Sequence, residues 1–142
     1  MLFRYALILL ILTVFSPGLY AADDEEKVGE ESTVMARPIY IPVKPAFVVN
    51  YGGPGKLKYI KLEISLRAKD TMSSNAIRHH MPLIRDYLVR EFSKLSDIDV
   101  GTQQGKEMVR VTALEGVKQL LKDEDGEEGV TGLYFNNFVV QR

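Results

Sequence analysis

Tyr59-Ile60-Lys61-Leu62-Glu63-Ile64-Ser65-Leu66-Arg67 is the stretch whose reading decides the fold. Ile60, Leu62, Ile64 and Leu66 alternate with Tyr59, Lys61, Glu63, Ser65 and Arg67, the period-2 pattern of a strand with one face in a core. Such a strand needs neighbours along its edges and a helical layer over its apolar side. Upstream, Pro42 and Pro45 interrupt Ile39 to Asn50, so its first half is expected to be an edge or entry arm, and Ala46-Phe47-Val48-Val49-Asn50 the better strand. Gly52-Gly53-Pro54-Gly55 then turns the chain, which predicts an antiparallel hairpin. That loop has no Gly-Lys-Ser/Thr ending and no following helix, so it does not read as a phosphate cradle.

Downstream of Asp70, Ile77, Met81, Ile84, Leu88, Phe92 and Leu95 recur every three or four residues, a helical stripe. Pro82 lies inside it and removes one backbone donor, so the spacing predicts two segments kinked at that point. Asp86 and Arg90 stand at i,i+4 spacing for an ion pair. A second helix is expected over about 106–122, with Val109, Ala113, Gly116, Val117 and Leu120 on one side and Glu107, Glu115, Lys118 and Lys122 opposite. Gly116 on the apolar side implies close approach of another element. An acidic turn follows, and a last strand runs from Val130 to Val140 with a bulge expected at Asn136-Asn137. The predicted fold class is α+β: a small antiparallel sheet of three or more strands, with a kinked helix and a second helix packed on one face.

The front of the chain reads differently. Arg4, the apolar run Tyr5 to Phe15, the helix-breaking Ser16-Pro17-Gly18 and Ala21-Ala22 have the layout of a signal peptide. The alternative is a membrane anchor in the same segment, although a span needs about 20 apolar residues. Residues 1–22 are therefore expected to be a leader or anchor, 23–38 an acidic flexible linker, and 39–142 the folded domain. Asp23 to Glu31 holds six acids against Lys27, a composition that stays solvated. The rest, from Ser32 to Arg142, carries 16 basic and 13 acidic residues, so the net charge of −1 originates in the linker. The folded part is thus mildly basic, while the overall charge of −1 argues against a nucleic-acid surface resting on bulk positive charge.

The 142 residues include no cysteine, no tryptophan and two histidines, which leaves neither disulfides nor thiolate metal sites. His79 and His80 are adjacent, about 100° apart on a helix, whereas helical metal pairs use i,i+4 spacing. His80 and Asp86 with a serine do not make a triad, because no Gly-x-Ser-x-Gly elbow is present. No cofactor, metal or catalytic residue is assigned, and the chain reads as a non-enzyme. Arg78, Arg85 and Arg90 are candidates for a basic helix surface. Tyr87, off the buried stripe, is the candidate aromatic for an interface there.

His80-Met81-Pro82-Leu83-Ile84-Arg85-Asp86 after the alternating strand, Gly105-Lys106-Glu107 at the next helix, and the closing Phe135-Asn136-Asn137-Phe138-Val139-Val140-Gln141-Arg142 together resemble the flagellar basal-body-associated FliL family. The Ala46 to Asn50 strand is similar too. The resemblance covers Ile39 to Arg142 and implies a periplasmic domain like those of stomatins. It further implies partners in the flagellar stator and basal body, homo-oligomeric rings, and no catalytic residues. The family usually begins with a basic cytoplasmic tail and a full transmembrane helix. A signal peptide stands in their place here, so a periplasmic paralogue beside an anchored member is expected. A general periplasmic binding or adaptor module on the same fold is the alternative reading.

Overall fold

The computed structural model describes residues 37–55 and 57–142. The expected leader and most of the acidic linker lie outside the described residues. Three strands, β1 (Ile39–Tyr51), β2 (Lys58–Ala68) and β3 (Val130–Gln141), form an antiparallel sheet in the order β1-β2-β3. Between β2 and β3 the chain makes four helices: α1 (Thr71–His79), α2 (Met81–Ser93), α3 (Asp97–Gly101) and α4 (Gln103–Asp125). The α+β class and the packing of helices alongside the sheet are as the sequence predicts, consistent with a small stomatin-like fold.

The alternating strand is the middle one. Its apolar residues each have an apolar partner on both sides: Val49–Ile60–Val140, Phe47–Leu62–Phe138, Val43–Ile64–Phe135, Ile41–Leu66–Leu133 and Ile39–Ala68–Val130. These five rows form one continuous apolar surface. Ile60, Leu62, Ile64 and Leu66 are fully buried, as are Ile77, Ile84, Leu88 and Phe92 of the helical stripe. Helix α2 lies over β1, α4 over β3, and α1 touches both β1 and β2. Val109, Ala113, Val117 and Leu121 complete the layer from α4.

Bulges keep the edge strands in phase. Phe135 and Phe138 are three residues apart, so a regular strand would send them to opposite faces. Asn137 pairs with Glu63 and Phe135 with Ile64, which leaves Asn136 as the extra residue. Both rings can then lie against the core, 5.1 Å apart and edge to face. In β1 the register jumps from Val43 to Phe47, leaving Lys44, Pro45 and Ala46 without ladder partners. The prolines are tolerated because β1 is an edge and one sits in the bulge. The strand is therefore continuous from Ile39, and the expected entry arm is part of it.

The helical boundaries follow local chemistry. The Ser73 N–H donates to Asp70 Oδ1 at 2.8 Å and starts α1. Pro82 occupies the first turn of α2, where its missing N–H has no intrahelical partner to lose. The expected kink is a break into two helices at His80. Helix α3 is too short to show periodicity, but Ser96 and Asp99 form a capping box around its start. Thr102 caps α4, which begins earlier and ends later than the expected 106–122, and Gly126 closes it at φ +81°.

Leu88→Ala should lower stability by about 2–5 kcal/mol, because it opens a cavity in the core between α2 and the sheet. Lys61→Ala, on the exposed face of the same sheet, should stay within about 0.5 kcal/mol. The denaturant midpoints at unchanged slope check this pair.

Candidate interaction surface

The four residues singled out from sequence do not share one surface. Successive helical residues advance about 100°, which places Arg85 and Tyr87 on opposite flanks of the Ile84–Leu88–Phe92 stripe. Arg85 Nη1 donates to the Pro45 carbonyl at 2.6 Å, and its guanidinium lies 4.4 Å from the centre of the Phe47 ring. That carbonyl belongs to the β1 bulge, so Arg85 supplies a donor to a stretch with no ladder partners. Arg90 bonds Asp86 at 2.6 Å with both side chains in solvent, the expected i,i+4 pair. Arg78 is exposed on α1.

Tyr87 corrects the expectation of an exposed aromatic. It is half-buried and packed against the core. A methyl group on Gly116 would overlap its phenol, so Tyr87 is the element that approaches Gly116 closely. Burial, with the Glu91 charge behind it, pushes the Tyr87 phenol above its ordinary value. The glycine thus serves as a notch in α4 that admits an aromatic from α2.

The histidine pair also has a structural setting. The His79 and His80 rings meet edge to face at 4.8 Å. His80 Nε2 lies 3.0 Å from Asp125 Oδ1, joining the α1–α2 junction to the end of α4. Asp86 is engaged with Arg90 instead, so no His80–Asp86 pair forms. Among the described residues no three His, Cys, Asp or Glu side chains gather to hold a metal ion.

The surface that sequence reasoning passed over is the other side of the sheet. Across the strands, Val48 stands beside Lys61 and Val139, and Tyr40 beside Arg67 and Gly132. Val48, Tyr40 and Val139 are 66%, 50% and 47% exposed, large apolar groups interleaved with cations. Tyr40 and Tyr134 meet edge to face at 5.7 Å, and the Arg67 guanidinium lies 5.9 Å from the Tyr134 ring centre. The alternation of β2 was the available signal: the side opposite its core row had to face something other than helices.

A family model described as "Flagellar basal body-associated protein FliL" matches residues 40–141, from the start of β1 to the end of β3. The chain belongs to the FliL family. A relative, the flagellar protein FliL of Aquifex aeolicus (strain VF5), is 28% identical over 103 residues, covering 72% of this chain and 62% of that protein. The chain thus spans less than two thirds of that relative's length. The match makes the chain a FliL-family flagellar component. Every strand and helix described above falls within the matched span apart from the first residue of β1.

Gly-to-Ala changes inside helices ordinarily stabilise by about 1 kcal/mol. Gly116→Ala in this FliL-family domain should instead destabilise by about 1–3 kcal/mol, because the methyl displaces Tyr87. Tyr87→Ala should cost a similar amount, whereas Arg90→Ala should stay within about 0.5 kcal/mol. Thermal and denaturant unfolding of the three variants measures the difference.

Proposed function

We propose that the chain supports the flagellar motor as a non-enzymatic scaffold, binding stator proteins of the basal body on the periplasmic side of the inner membrane. The observation that carries this reading is the family match over the whole sheet and helical layer. The uncovered sheet face supports it: one side of the sheet is consumed by the core, and the other presents tyrosine, valine, lysine and arginine in rows. Such mixed apolar and cationic rows suit contact with another protein. Arg78 on α1 and Arg90 on α2, each exposed, offer separate polar contacts for neighbouring copies in a ring or for an anchored paralogue.

Periplasmic export rests on the leader-like residues 1–22. No helix among the described residues is long and apolar enough to cross a membrane. Torque and ion flow belong, in this reading, to the stator.

Deletion of the gene should shrink the swimming halo on soft agar, and the wild-type copy should restore it. A periplasmic adaptor without a motor role predicts normal swimming by the deletion strain. Filament counts by microscopy separate loss of rotation from loss of assembly.

A further inference from the structure

At the end of the fold away from the β1–β2 hairpin, α1 and the last turns of α4 bound a groove of about 220 Å³. Met72, Ala76 and Leu121 supply its apolar lining, and Asp125 and Glu127 stand at its rim. Met72 is 77% exposed, so a flexible, polarisable side chain waits in water at the groove's mouth. The volume lies below the roughly 300–1,000 Å³ of small-molecule sites, which suits the groove to one or two inserted side chains.

Charge then selects the kind of segment that brings those side chains. Asp123, Glu124, Asp125, Glu127 and Glu128 are five of the 13 acids in Ser32 to Arg142, all within six positions. The C-terminal end of α4 adds its partial negative charge at the same place. The compensation is incomplete. Glu128 lies 3.9 Å from Lys122, Asp123 accepts from Gln119 Nε2 at 2.7 Å, and Asp125 is shared with His80. Lys69, whose backbone N–H bonds the Gly129 carbonyl, is the other cationic neighbour. Glu124 and Glu127 have no cation within ion-pair distance among the described residues. An anionic membrane surface is repelled here, and so is the 23–31 stretch of this chain with its six acids.

We propose that this groove docks a basic segment of a partner protein, which inserts an apolar side chain between α1 and α4 and sets its flanking lysines or arginines against Glu124 and Glu127. The inference rests on the groove alone and is independent of the motor reading. Apolar insertion supplies the anchor, and the carboxylates set partner choice and encounter rate.

The test titrates the full-length chain with three fluorescein-labelled peptides: Lys-Arg-Leu-Leu-Lys-Arg, the same peptide with serine for leucine, and the same peptide with glutamate for every cation. The first should bind, and each of the others should bind at least about tenfold more weakly. Met72→Glu and the double change Glu124→Gln, Glu127→Gln should each weaken the first peptide about threefold to tenfold. The double change should also flatten its salt dependence. Met72, Glu124 and Glu127 are all exposed, so circular dichroism of the variants should remain that of the parent. A benzophenone amino acid at position 72 should label the bound peptide, and one at position 48 on the open sheet face should not. Equal binding of the leucine and serine peptides, preference for the acidic peptide, unchanged affinity in both variants, or labelling from position 48 alone would each overturn the proposal.

Discussion

Ile60, Leu62, Ile64 and Leu66 must be covered on one side only, and that constraint sets the positions of all other elements. A three-stranded sheet has a single middle strand, so β2 alone has ladder partners on both edges. Its apolar row becomes the centre of five rows that run across the sheet. Once helices cover those rows, the charged row of β2 is committed to the opposite side. The open face is therefore a direct consequence of the core, because a one-residue slip in register would exchange the two.

The edge strands conform to this constraint through irregularities. Asn136 is extruded so that Phe135 and Phe138 can both face inward, and the β1 bulge keeps Val43 and Phe47 on the core side of a strand that contains two prolines. Each irregularity leaves polar groups needing partners. Asn136 Nδ2 donates to Ser65 Oγ at 2.8 Å, and Arg85 reaches across from α2 to the Pro45 carbonyl. The arginine that seemed free on a helical wheel is thus tied to the repair of an edge strand.

What the sequence made legible follows from periodicity. The β2 alternation, the α1–α2 stripe and the asparagine bulge all express a local repeat or its interruption, and each is present. Helix α3 spans five residues, fewer than two turns, so only its Ser96–Asp99 capping box marks it. Strand β1 looked broken because proline weakens a central strand, whereas its place at an edge is a tertiary fact. Tyr87 is half-buried rather than exposed for a related reason. Its wheel position is off the stripe, but the notch at Gly116, 29 residues later, partly covers it in a way that no single-helix pattern contains. Gly116 itself signalled a close approach without naming what approached.

Function was legible mainly through resemblance, because the described residues gather no His, Cys, Asp and Glu cluster for a metal ion. The central claim is that the open sheet face meets the motor while the opposite face holds the fold. The absence of cysteine gives that claim a direct measurement, since one introduced thiol is a unique label. Lys61→Cys and Val48→Cys should react readily with a membrane-impermeant maleimide applied to the periplasm of cells that lack assembled basal bodies. In cells with assembled motors both should be protected, while a thiol at the exposed Gln119 of α4 stays reactive in each. Equal labelling of Lys61→Cys and Val48→Cys in the two strains would contradict the account.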